Sequence, residues 1–214
     1  MSAGGIAGET TWRDITIAWA SPSQLHDFTE ADAAAMGQRE RLCELSGSRA
    51  QAFLAGRALM RALVRRITGT HDVVISSRCA RCGADHGRPR ADGVLLSVSH
   101  AEGLVVVAVA PAAVGTAASL GVDVEQASAA GRVDELRTMF PDGAAPDLAG
   151  WTRIEAAVKA DGRGFETEPS EVLLRLRANT DPCVWSAALP GRAATIDVTT
   201  LVGPPGYVLS VARG

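Results

Sequence analysis

A chain of 214 residues has room for one large domain or two small ones, and at that length roughly 70% of the unfolded surface can be buried, enough for a self-sufficient core. A hydrophobic fraction of 47% with 21% charged residues is ordinary for a soluble globular protein, and a formal net charge of −3 speaks against a nucleic-acid binder, which carries a basic surplus. No apolar run approaches the ~18 residues of a membrane span, Met1 to Thr10 lack a secretory pattern, and four cysteines do not make a disulfide framework in a chain this long, so a reducing cytoplasm and no membrane association are expected.

Ile15, Ile17 and Trp19 alternate with polar or small residues and predict a strand. An Ala-rich polar stretch from Thr29 to Leu45 predicts a helix. Ser48 and Gln51 have the spacing of a capping box and open a long helix over Arg49–Thr68, closed by Gly69 as its C-cap. Strands follow at Val73–Ser76, Leu95–Ser99, Leu104–Ala110 and Leu120–Glu125, with Pro111–Ser119 as a connector. A helix is expected over Val133–Phe140 and a second over Trp151–Ala160. Strands over Glu171–Arg177, Cys183–Ala187, Thr195–Thr199 and Val208–Ala212 complete the chain. Two halves, 1–112 and 113–214, each with a helix and mainly hairpin-like strands, predict an α+β fold without sequence repeats.

Four constellations can carry chemistry. In the strand Leu120-Gly121-Val122-Asp123-Val124-Glu125, Asp123 and Glu125 share a face. Paired carboxylates repel unless a cation intervenes, and hard oxygen ligands suit Mg²⁺; a solvated strand end fits the same residues. On the helix from Trp151, residues Trp151, Glu155 and Lys159 form one ridge at four-residue spacing. Glu155 and Lys159 read equally as an exposed ion pair of about 0.3–0.5 kcal/mol. Of the 21 basic residues, however, Lys159 alone is lysine. With the heavy use of Ala, Gly and Val this indicates a GC-rich coding bias, in which a generic positive charge is met by arginine. Gly87-Arg88-Pro89 forms a turn that can reach a phosphate, and Ser97-Val98-Ser99-His100 offers a hydroxyl and a ring N–H at a strand end; a plain turn and strand end are the alternative. Arg57, Arg61 and Arg65 make a basic ridge on the long helix, with Arg49 two turns earlier; a solvated face is the alternative.

Cys79-x-x-Cys82 followed by His86 invites a zinc reading. Three ligands are one short of a closed structural site, and Cys43 or Cys183 would have to supply the fourth, so thiols packed in a turn are the favoured expectation.

Taken together and in order, these segments resemble the surfactin-synthetase-type (Sfp-type) 4′-phosphopantetheinyl transferases. That family has an arginine-bearing helix, a G-[KR]-P turn, an S-x-S-H strand end, a G-[VI]-D-x-E strand and a W-x-x-K-E-A-x-x-K helix. The match spans about Arg49 to Gly164, including the glycine-rich Asp161-Gly162-Arg163-Gly164. Its specific part is G-V-D-V-E followed by W-x-x-x-E-A-x-x-K. The family has lysine directly before the glutamate; here it is Ile154, and Arg153 points elsewhere around the helix. The segment Phe140–Gly150 is short and lacks the acidic residue that the family often has after its paired aromatic or apolar positions, which bears on carrier docking more than on chemistry.

The resemblance implies two similar α+β subdomains about a pseudo-twofold axis, with the active site in a cleft between them and the protein acting as a monomer. It implies Mg²⁺, with Mn²⁺ as an alternative, on Asp123, Glu125 and Glu155. Asp123, Glu155 and Lys159 become the catalytic residues, with Lys159 also binding phosphate. Arg57, Arg61, Gly87, Arg88, Pro89, Ser99 and His100 become coenzyme A contacts. The implied reaction transfers the phosphopantetheine arm of coenzyme A to a serine of an apo carrier protein of a peptide, polyketide or fatty-acid synthase, with secondary metabolism favoured. The alternative is a catalytically degenerate homologue that binds coenzyme A or a carrier without turnover.

Overall fold

The computed structural model describes residues 5–79, 81–112, 118–128, 135–136, 138–140, 145–177, 180 and 182–214. The chain is α+β with two antiparallel sheets and divides into two compact units, Met1–Thr116 and Ala117–Gly214.

In the first unit, strands β1 (Gly8–Trp12) and β2 (Ile15–Ala20) are followed by short helices α1 (Glu30–Ala35) and α2 (Arg39–Cys43), the long helix α3 (Gly47–Thr68), and strands β3 (Val94–Ala101) and β4 (Leu104–Pro111). The sheet order is β1-β2-β4-β3. β4 is apolar and buried along nearly its whole length because it is an inner strand. α3 lays Ala55, Ala58, Leu59 and Leu63 on the face formed by Ala18, Leu96, Val105, Val107 and Val109. It ends as its sequence predicts, with Gly69 at φ +72° and its amide bonded to the Arg65 carbonyl at 2.9 Å.

Several local expectations are corrected. The Thr29–Leu45 helix is two helices, because Gly37 adopts φ +72° and Gln38 turns fully into the interior. There the Gln38 amide donates to the Ile75 carbonyl at 2.5 Å and accepts from Arg57 Nε at 2.7 Å. The capping box sits at α1, not α3: Thr29 and Asp32 exchange side-chain and backbone hydrogen bonds, whereas α3 starts at Gly47 with no side-chain cap. Val73–Ser76 forms no ladder; its one pairing is the bridge Ser76–Arg90, although Val73 and Ile75 are buried as a strand pattern would suggest. β1, a polar edge strand, was not predicted.

In the second unit, β5 (Leu120–Gln126) is followed by helix α4 (Leu148–Asp161) and strands β6 (Leu173–Leu176), β7 (Val184–Ala188), β8 (Ile196–Leu201) and β9 (Tyr207–Arg213), in the order β5-β9-β8-β7-β6. α4 begins three residues before the predicted start because Asp147 caps it, accepting from the Gly150 amide at 2.6 Å. Trp151, Ile154, Ala157 and Val158 share a core with Ala187, Ile196, Val198 and Ala212. Of the helix expected over Val133–Phe140, residues 135, 136, 138 and 139 are helical; Val133, Asp134 and Arg137 lie outside the described residues, as do 113–117 of the expected connector. No helix among the described residues is long and apolar enough to cross a membrane.

Candidate functional site

The two most specific motifs meet where β5 runs under α4. Gly121 makes the approach possible: a Cβ there would run into the Ala156 carbonyl oxygen and sit 2.6 Å from the Ala160 amide nitrogen. Two residues along the same face is Asp123, in mid-strand rather than at the strand end. Its side chain is only 7% exposed, and its Oδ1 accepts from Lys159 Nζ at 2.6 Å. Lys159, in the last turn of α4, is 31% exposed and so keeps one side toward water. Glu125 and Glu155 are half-buried at the margin, and Trp151 at the start of the ridge is buried.

Ser210 of β9 stands opposite Asp123 in the ladder. Its hydroxyl pairs with Thr152 at 2.8 Å and with Thr200 at 2.9 Å, a chain of hydroxyls under the helix. Arg153 extends this chain, donating to Thr200 Oγ1 at 2.9 Å with its guanidinium 4.8 Å from the Trp185 ring. Arg153 is thus engaged with Thr200 on β8 and Trp185 on β7. Ile154 is buried in the core.

Asp161, at the end of α4, is a structural anchor that its position in a glycine-rich stretch gave no reason to expect. Burial pushes its carboxyl up. Arg163 at 2.6 Å, Thr167 at 3.0 Å and Arg192 at 3.3 Å outweigh that and hold it below the ordinary carboxylate value.

In the first unit the predicted contacts are dispersed. Arg57 points inward: it is 6% exposed, donates to Gln38 and, at 2.7 Å, to Ser77 Oγ, and lies over the Phe53 ring. Desolvation lowers its pKa from the ordinary guanidinium value to about 10. Arg61 pairs with Asp32 at 2.9 Å above the Phe28 ring. Asp32 is thereby held down to about 2, first by the Thr29 backbone amide and hydroxyl, with Arg61 adding to them. Ser99 and His100 are neighbours on β3 and face opposite sides of the sheet. Ser99 is buried, while His100 lies on the α3 side, where its Nε2 would be 3.2 Å from a Cβ on Gly56.

The Gly87-Arg88-Pro89 turn is well fixed. The Gly87 amide donates to the Ser77 carbonyl at 2.6 Å, and a Cβ on Gly87 would press to 2.7 Å from the Arg78 carbonyl oxygen. Arg88 is half-buried, its Nε 3.5 Å from the Leu96 carbonyl; burial, with Arg90 nearby, lowers its pKa. Just before the turn, the ligand atoms of Cys79, Cys82 and His86 all lie within 4.8 Å of one another. Cys82 Sγ is 3.0 Å from His86 Nε2. Backbone amides of Cys82 and Arg81 donate to the Cys79 sulfur and lower its pKa.

The donor set on β5 and α4 fits a hard divalent ion by type: three carboxylates, one of them buried and already drawing a cation to 2.6 Å. The oxygens of Asp123, Glu125 and Glu155 do not converge as the Cys79 group does; among the described residues that group is the one with all ligand atoms within 4.8 Å. No protein-family model matches this chain, and no curated protein matches it.

Proposed function

We propose that the chain is an Sfp-type 4′-phosphopantetheinyl transferase, dependent on Mg²⁺ or Mn²⁺, acting as a cytoplasmic monomer on carrier proteins of secondary metabolism. That the two units are the related halves of that family's fold is part of the proposal. The observation that carries the reading is the Asp123–Lys159 pair at 2.6 Å. It joins G-V-D-V-E to W-x-x-x-E-A-x-x-K, the two segments on which the resemblance chiefly rests.

In this reading Asp123, Glu125 and Glu155 hold the divalent ion, which when bound supplies positive charge for the pyrophosphate of coenzyme A. Lys159 has three ammonium protons and can hold a phosphate oxygen while keeping Asp123. Glu155 accepts the proton of the carrier serine, directly or through water, as the serine oxygen attacks the pantetheine-side phosphorus. The bond from that phosphorus to the bridging oxygen breaks, and adenosine 3′,5′-bisphosphate leaves. Arg88 and His100 are assigned to the nucleotide end, where positioning and charge neutralisation do the catalytic work. Arg57 and Arg61, turned to Gln38, Ser77 and Asp32, act by supporting α3.

The test is mass spectrometry of apo carriers from peptide, polyketide and fatty-acid synthases after incubation with the protein, coenzyme A and Mg²⁺. A mass gain of one phosphopantetheine arm on any of them supports the reading. Ile154, in the core where the family has lysine, favours the second reading of a binding-only homologue; tight carrier or coenzyme A binding with no mass gain would establish it.

Lys159→Arg is expected to lower the transfer rate at least about tenfold, a barrier rise of about 1.4 kcal/mol, with little change in melting temperature. The planar guanidinium does not fit where a compact ammonium sits 2.6 Å from a buried carboxylate. The loss falls in kcat if Lys159 meets charge that develops in the transition state, and in KM if it only holds the bound pyrophosphate. An Arg variant with wild-type kinetics would make the single lysine an accident of composition.

A further inference from the structure

The Cys79, Cys82 and His86 cluster lies outside the proposed catalytic residues. The loop that carries it is pinned at both limbs. Ser76 and Arg90 exchange backbone hydrogen bonds at 3.0 and 2.8 Å, and Gly87 bonds to Ser77 at 2.6 Å. Between these ties, residues 78–86 contain no large apolar side chain, so this stretch has no core of its own to fix it. It is nonetheless folded back on itself: the Cys79 amide donates to the Ala84 carbonyl at 2.8 Å and the Gly83 amide to the Cys79 carbonyl at 2.9 Å. Gly83 takes φ +75°, a conformation that suits glycine, directly after the second cysteine. Two backbone N–H groups point at the Cys79 sulfur.

We propose that Cys79 Sγ, Cys82 Sγ and a ring nitrogen of His86 bind one Zn²⁺, with the fourth position open to water or an exogenous ligand. Two thiolates and an imidazole are the donor set of zinc. With Zn–S near 2.3 Å and Zn–N near 2.0–2.1 Å, tetrahedral ligand atoms stand roughly 3.5–4 Å apart. Atoms already within 4.8 Å of one another reach that spacing by small side-chain rotations. The packed-thiol expectation is replaced, because apolar packing would bury the sulfurs, whereas Cys82 and His86 are exposed. The bound metal closes the loop one residue before Gly87-Arg88-Pro89 and so fixes the limb that presents Arg88. The zinc site stands independently of the transferase reading.

Tag-free full-length protein, purified under reducing conditions, should contain about one zinc per chain by elemental mass spectrometry. After chelation, Co²⁺ should restore one equivalent with thiolate-to-metal absorption and tetrahedral visible bands. Cys82→Ser and His86→Ala should each lose the metal. Rebinding to the wild-type chain is read directly, so the test survives if either variant fails to fold. Three outcomes overturn the proposal: metal-free protein with all four thiols titratable and no Co²⁺ spectrum, a Cys79–Cys82 disulfide in the reduced preparation, or zinc retained in the Cys82→Ser/His86→Ala double variant. None of these measurements uses carrier or coenzyme A, so their failure leaves the transferase test untouched.

Discussion

Asp123→Ala is expected to remove transfer activity almost wholly, by more than about a hundredfold, or about 2.7 kcal/mol of barrier. The carboxylate lies in mid-strand, 7% exposed, with Lys159 at 2.6 Å. Removing it takes away a ligand of the proposed ion and the group that orients the ammonium. Taking one partner from a buried ion pair costs about 3–5 kcal/mol when the remaining charge is trapped. Lys159 is 31% exposed and can turn to water, so the stability loss should be smaller and the unit should remain folded. Asp123→Asn keeps the shape and removes the charge; it should be as inactive as alanine while melting closer to wild type. Transfer above about a tenth of wild type at saturating Mg²⁺, a loss of under about 1.4 kcal/mol, would falsify the metal assignment.

Gly121→Ala should destabilise the second unit by on the order of 3 kcal/mol, since an added methyl there overpacks a closed contact. For a chain of this size that is a drop of roughly 6–12 °C in melting temperature. The added carbon collides with the Ala156 carbonyl and stands 2.6 Å from the Ala160 amide nitrogen. These are helix backbone atoms that cannot rotate away. Trimming Ala156 or Ala160 to glycine should therefore bring no rescue, which distinguishes a backbone clash from crowded side chains. An alanine variant that melts with wild type would mean that β5 and α4 are not held this closely, and the Asp123–Lys159 pair would lose its structural basis.

Legibility from the sequence followed the strength of local periodicity. α3, α4 and the strands β2 to β5 and β7 to β9 carry apolar residues at helical or strand spacing, and their predicted bounds fall close to the observed ones. β1 was missed because Gly8-Glu9-Thr10-Thr11-Trp12 is an edge strand with little apolar alternation. The Thr29–Leu45 helix breaks at Gly37, a local signal, and the Gln38 that follows is held inward by Ile75 and Arg57, which are remote in sequence. The shared face of Asp123 and Glu125 and the ridge through Glu155 and Lys159 were readable from spacing. That Gly121 sets the distance between them, that Arg192 reaches Asp161 from the far side of the unit's sequence and that Arg57 is enclosed depend on tertiary neighbours, and nothing in the local pattern signals them. Ser99 and His100 were read as a unit because they are adjacent, which on a strand is what separates them.

The enclosure of Arg57 makes one joint of the first unit insensitive to acidity. Its folded-state pKa is depressed from the ordinary guanidinium value to about 10, chiefly by burial. For a base shifted this way, the cost of keeping the charge inside is fully present below about 10 and is relieved only as pH rises through that value. From mildly acid to mildly alkaline solution the cost is constant, and Arg57 remains a cation that donates to Gln38 and Ser77. A lysine begins about two units lower, and the same desolvation would bring its titration toward neutrality, where the ammonium would discharge and one donor be lost. The arginine-rich composition therefore supplies, at this interior position, a fastening between α3 and the segments around Gln38 and Ser77 that holds its charge through the range in which cells vary.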